Sequence, residues 1–313
     1  MKRKNYLLRI IILWTTILGV GHLLIPNRAI AQITFLGDNN QAKADANITE
    51  FTQVDDMVFF ATYTKNETGE SQPHLWVTDK TENGTHEVGA SLIQSLMVPL
   101  NGNGELSELT AMNGNLYFVI GTSYKGFLCK SDGTDAGTVT LKEFGEIGSL
   151  TAVNNLLYFA ADDGTYGNEL WKTDGTEAGT ELVKDINLEF LGEKSSEPKG
   201  LTAYGNLLIF TAFTNDAGRD LWKSDGTQSG TQKIKEFAAD VSLDEAIEFN
   251  NLLLMSFNDG NLGLEVWKTD GTEAGTEIIK DIAAGFTGSY PKAFIQFNNS
   301  IYFTARGDLW KTD

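Results

Sequence analysis

Few residues of this chain have the types and spacing to do chemistry. Beyond position 31 there are two histidines, His74 and His86, and one cysteine, Cys129. Neither histidine lies in an HExxH helix or a Cys–His metal spacing, and both read as surface residues rather than ligands or bases. No GxSxG elbow, Walker loop or dinucleotide fingerprint occurs. Cys129 reads as a small buried side chain rather than a reactive thiol. Asp-Gly-Thr recurs, but without the alternating oxygen ligands and closing Glu of an EF-hand. The Asp162-Asp163 and Asn258-Asp259-Gly260 loops leave room for a weakly held calcium ion, and no other metal or cofactor is implied. One column of acids has catalytic chemistry in it. Glu50, Glu108, Ser149, Gly200, Glu245 and Ala293 begin six equivalent strands. If those strands line an axis, Glu50, Glu108 and Glu245 gather at one mouth as a candidate ligand site. Paired carboxylates cleave glycosides, and carboxylates also hold cations or sugar hydroxyls. Solvated strand starts are the competing explanation.

The elements that would position these residues come from a repeat. Leu170-Trp171-Lys172-Thr173-Asp174-Gly175-Thr176-Glu177-Ala178-Gly179-Thr180 returns as Val266 to Thr276 and, with small changes, as Leu221 to Thr231. Leu128-Cys129-Lys130-Ser131-Asp132-Gly133-Thr134 puts the cysteine in the tryptophan position. Leu75-Trp76-Val77-Thr78-Asp79 is a diverged copy with Lys80 in place of Gly, and Leu309-Trp310-Lys311-Thr312-Asp313 is a sixth. The intervals from Trp76 through Cys129, Trp171, Trp222 and Trp267 to Trp310 are 53, 42, 51, 45 and 43 residues. Each unit carries four strand signals separated by Asn- or Gly-rich turns. Units are expected at about 48–93, 105–144, 146–186, 195–237, 240–282 and 289–313.

Leu170 and Trp171 are adjacent, so they face opposite sides of their strand, and both are apolar. The run Leu156 to Ala161 is apolar on both faces as well. A four-stranded sheet covered on both faces and repeated six times predicts an all-β, six-bladed β-propeller. Trp76, Cys129, Trp171, Trp222, Trp267 and Trp310 would fill its core between blades. The strand order within a unit is similar to that of kelch blades, with the first strand nearest the axis. The units resemble the ELWxxDGT repeat family of exported bacterial proteins, and Glu169-Leu170-Trp171-Lys172-Thr173-Asp174-Gly175-Thr176 matches its pattern in full. The resemblance spans essentially residues 32–313. It implies an exported propeller and brings no catalytic residues with it. Lys80 and Cys129 depart from the pattern and are expected to weaken the hairpin or core of the first two units.

Lys2-Arg3-Lys4, the apolar run from Ile10 to Ile25 and the small residues Ala29 and Ala31 read as a secretory signal, 1–31, cleaved after Ala31. The alternative is an uncleaved anchor. Five of the chain's 24 basic residues and none of its 42 acidic ones lie there, so the remainder carries 19 against 42, a formal charge of −23. Such a surface repels nucleic acid and anionic lipid. These features predict a secreted, periplasmic or cell-surface monomer, not inserted in the membrane once the leader is gone. Its expected function is a non-catalytic binding or adhesion module for an extracellular or periplasmic protein or glycan. Two alternatives stand beside it: a carbohydrate-active enzyme using the mouth carboxylates, and a purely structural envelope protein. An enzyme of this kind should keep a polar cluster departing from the repeat, which favours the binding module.

The sixth unit stops after its third strand, while Ile33-Thr34-Phe35-Leu36-Gly37-Asp38 aligns with an outer strand. The N-terminal strand 33–38 is therefore expected to close the last blade. Deleting residues 32–38 of the mature chain should lower its melting temperature and deprotect the amides of 301–310 to hydrogen exchange; no change in either would exclude this closure.

Overall fold

In the computed structural model, residues 47–66, 69–188, 195–214, 218–237 and 239–313 are described. The leader and the 33–38 strand lie outside them. The fold is all-β and propeller-like: six antiparallel sheets, each a simple meander. Five blades have four strands (47–88, 105–144, 147–184, 199–235 and 242–280), and the sixth has three (292–312). First strands of successive sheets touch one another, so they are the inner strands. The first unit ends earlier than its repeat predicts. Its outer strand stops at Val88, and a short helix, α1 (Ala90–Met97), leads to blade two. Among the described residues no helix is long and apolar enough to cross a membrane.

Five seams between blades hold the cores. In the second seam, Tyr117, Val119 and Leu128 of one blade meet Leu157, Phe159 and Trp171 of the next. The motif tryptophan always faces the preceding blade, and its neighbour Leu170 faces the following one. Trp171, Trp222 and Trp267 are buried, and their indole N–H groups have no hydrogen-bond partner among the described residues. They serve by area and ring face. A lysine from the preceding outer strand lies over each ring: Lys142 4.3 Å from Trp171, Lys184 5.5 Å from Trp222, Lys235 5.9 Å from Trp267. Cys129 takes this position in blade two, opposite Phe118, fully buried, with its thiol pushed up to about 12 by desolvation. Two of the expected core tryptophans need correction. Trp76 and Trp310 are only half-buried. The face of Trp76 is the one a preceding blade covers elsewhere, and among the described residues Trp310 has no outer strand beside it, its N–H bonding Ala305 O at 3.2 Å.

The repeated hairpin explains its own residues. Asp174 Oδ1 accepts from the N–H and hydroxyl of Thr176 at 2.9 and 2.7 Å, which holds its carboxyl below the usual range. Thr176 Oγ1 accepts from Gly179 N, and the Thr173 and Thr180 hydroxyls share a buried bond of 2.8 Å. A Cβ on Gly179 would come within 2.1 Å of Asp174 Oδ1, so the second glycine is required by close approach. Gly175 takes φ +93° beneath the Tyr117 hydroxyl of the preceding blade. The expected weakening of the first hairpin is not found. Lys80 adopts φ 78°, and Asp79, Thr81, Gly84 and Thr85 repeat the same bonds.

The Glu that opens the motif latches the chain on its way to the next blade. Glu169 is fully buried and accepts from Ile186 N, Asn187 N, Ser196 N and Ser196 Oγ, the last at 2.6 Å. Glu265 accepts likewise from Ile282 N, Ala283 N and Ser289 Oγ.

Trp171→Ala should destabilise the chain by about 3–5 kcal/mol, and Trp310→Ala by less than half as much; equal losses in urea melts would contradict this division of the core. The Glu169 latch gives a pH signature. Burial pushes its carboxyl from 4.5 up to about 7, with the four donors pulling the other way. The folded chain therefore keeps a proton that the unfolded chain has lost. Its contribution to stability is full below about pH 4.5 and is lost as pH rises through about 7. Glu169→Gln should remove this slope, worth at most about 3 kcal/mol, and identical pH profiles for the two proteins would refute it.

Candidate functional site

The glutamate column lies where the sequence places it, on the inner strands, but it is used up in holding blades together. Each inner strand has a register shift at this point. Glu50, Glu108, Ser149, Gly200 and Ala293 all take positive φ, between 49° and 64°. The carboxylates cross to the next blade. Glu50 accepts from Leu109 N at 3.3 Å and Glu108 from Leu150 N at 3.0 Å. Glu245 accepts from Ala293 N and Phe294 N at 2.9 and 3.1 Å. Glu50 and Glu108 stand on adjacent blades, and Glu245 stands on the fifth. Among the described residues no group of three or more His, Cys, Asp and Glu is placed to hold a metal ion. The loop at 99–103 and the blade-two hairpin at 121–125 lie beside the start of the second inner strand, at Glu105 and Ser107.

A different constellation forms in blade one. Thr62 is paired with His74 across the second and third strands, and Trp76 with Glu87 across the third and fourth. Thr64, two residues beyond Thr62, therefore shares a face with His74, and so does Glu87. The three side chains join diagonally. Thr64 Oγ1 lies 2.8 Å from His74 Nε2, and His74 Nδ1 lies 2.7 Å from Glu87 Oε1. A carboxylate only accepts, so a singly protonated imidazole carries its proton on Nδ1. Nε2 then presents a lone pair, and the Thr64 hydroxyl donates to it. The histidine and glutamate side chains are 28% and 31% exposed, so the chain is held yet reachable. It opens into a cavity of about 230 Å³, with Pro73, Ile93 and Met97 as apolar wall. His86 is exposed at the start of the outer strand.

The residue two before the tryptophan in the other units is Phe127, Glu169, Asp220, Glu265 or Asp308. His74 thus replaces the latching acid, in the one blade followed by helix α1 (Ala90–Met97). Reading His74 as an ordinary surface residue missed this. The departure from the acidic column was the available signal.

No family model matches the chain, and no curated protein matches it. Solved structures do resemble it. A prolyl endopeptidase aligns over 83% of this chain and 39% of its own, with 11% identity and a TM-score of 0.55. A puromycin hydrolase aligns over 86% and 47%, with 12% identity and a TM-score of 0.48. An acylaminoacyl peptidase from Pyrococcus horikoshii aligns over 86% and 51%, with 10% identity and a TM-score of 0.42. The chain spans well under two thirds of each. At this identity the first likeness shows the fold alone. The expectation of a non-catalytic binding or adhesion module is corrected here: the likeness above a TM-score of 0.5 is to a prolyl endopeptidase, not to a binding module.

Proposed function

We propose that this chain hydrolyses acyl compounds, with Thr64 as nucleophile, His74 as general base and acid, and Glu87 as the carboxylate that orients the imidazole. The observation that carries this reading is the unbroken hydroxyl–imidazole–carboxylate chain at 2.8 and 2.7 Å, opening into a cavity. Thr64 Oγ1 attacks the carbonyl carbon as its proton passes to Nε2. The imidazolium returns that proton to the leaving alcohol or amine as its bond to the acyl carbon breaks. Water, deprotonated in turn by Nε2, releases the acid and restores the threonine. Glu87 keeps Nδ1 protonated and supports the positive ring. The likeness to hydrolytic enzymes agrees with this chemistry but does not supply its residues.

The same reading takes the six blades as a closed ring in a protein of the ELWxxDGT repeat type, exported through the leader. Exposed Ile295, Phe297 and Leu309 on blade six would meet Phe51 and Trp76 of blade one, as equivalent positions do at the other seams. Strand 33–38 would complete the sixth sheet. No metal is required for the chemistry.

Purified protein should release p-nitrophenol from short-chain p-nitrophenyl esters. Thr64→Val and His74→Gln should each lower kcat at least about 100-fold with the melting temperature retained, and Glu87→Gln somewhat less. Mass spectrometry of quenched reactions should place the acyl group on Thr64. Turnover that survives His74→Gln would end this assignment.

A further inference from the structure

A second, larger cavity adjoins the Thr64 site. It measures about 710 Å³ and lies between the 99–103 loop and the 121–125 hairpin of blade two. Helix α1 and its exit form a common wall: Ile93, Gln94 and Met97 line the smaller cavity, and Pro99, Leu100 and Asn101 the larger. The volume suits a small organic ligand or a few residues of a chain. Its chemistry is specific. Asn101, Asn103, Ser107, Thr122 and Ser123 present amides and hydroxyls over an apolar floor that includes Val119 and Ile147. Tyr124, at its edge, is 87% exposed. The side chains of Asn101, Ser107, Ser123 and Tyr124 take part in no side-chain hydrogen bond among the described residues, so their donors and acceptors are available. Lys125 is neutralised by Glu143 at 2.7 Å, and the surrounding chain is strongly acidic. An anionic ligand is therefore disfavoured, and Glu105, the one acid in the lining, offers a carboxylate that accepts from hydroxyl groups.

A neutral ligand with many hydroxyls and flat C–H faces meets these conditions. The hydroxyls answer the amide and hydroxyl groups, and the ring face answers an exposed aromatic that has no partner ring among the described residues. We infer that this cleft binds a neutral carbohydrate chain, and that the acyl group removed at Thr64 is an O-acyl ester carried on that carbohydrate. The inference rests on the hydrolase reading for its second half and on the cleft alone for its first. Cleavage of such an ester needs only water: the bond between the acyl carbon and the sugar oxygen breaks, and the sugar hydroxyl takes the proton from His74.

The test uses the full mature chain, with His74→Gln to silence turnover. Xylohexaose, cellohexaose, chitohexaose and a neutral hexapeptide are titrated and followed by calorimetry and amide NMR shifts. At least one oligosaccharide should shift resonances of 99–107 and 121–125, and Tyr124→Ala should weaken it at least tenfold. With His74 restored, acetate release from the O-acetylated form of that oligosaccharide should show its KM, relative to that for p-nitrophenyl acetate, raised at least tenfold by Tyr124→Ala. Ester turnover without any oligosaccharide binding, or binding of the hexapeptide alone, overturns the carbohydrate assignment and leaves the hydrolase standing. Oligosaccharide binding that depends on Tyr124, with no hydrolysis of any ester, overturns the hydrolase reading and the substrate assignment with it.

Discussion

A lysine that reaches across each of the three middle seams ties this architecture together. Lys130, Lys172 and Lys223, each following the motif tryptophan position, donate from Nζ to the carbonyls of Gly175, Gly226 and Gly271 at 2.7 to 2.8 Å. That carbonyl is aimed by the hairpin of the next blade, which the Asp-to-Thr bonds hold rigid and the glycines allow to fold. From the outer strands, Lys184 and Lys235 reach Thr231 O and Thr276 O in the same direction. The apolar seam supplies most of the stabilisation, but it has no direction of its own. These charge-assisted bonds fix how blades two to five are set against one another, and hence where their inner strands and loops lie.

Much of this was legible in the residues. The repeat, the apolar runs of both faces and the Asn and Gly turns specify four short strands per unit, because strand pairing and turn geometry are local. The turn role of Asp174 and Gly175 could be read from their types. The position of Glu50, Glu108 and Glu245 on the inner strands was also readable. Their partners were not, since each bonds a backbone N–H on a blade some 50 residues away in sequence. Lys80 shows the same limit from the other side. A lysine at a positive-φ site looks like a broken turn in sequence, yet the remaining Asp and Thr bonds over-determine the conformation.

The Thr64–His74–Glu87 chain illustrates what a repeat conceals. In blades three, four and five the position two before the tryptophan holds an acid that latches the departing chain, and a histidine there reads as decay. In blade one the departing chain is a helix, and a basic ring free to accept finds a threonine on one side and a glutamate on the other. Three strands contribute one residue each. Linear spacing therefore carries no trace of the contact, which appears only once strand register is known.

The lysine bonds of the three middle seams all run from one blade to the blade after it. Each of those joints presents the same donor on one side and the same acceptor on the other. A unit of this kind is thus a fitting neighbour for another of its kind, and duplicating or losing one in the middle leaves each remaining joint as it was. A gene built of such units can lengthen or shorten by unequal recombination without passing through an unfolded product. Individual units stay free to drift, and the first carries a histidine where four of the others carry an acid. The direction of the joints thus makes the array a substrate for evolution as well as a fold.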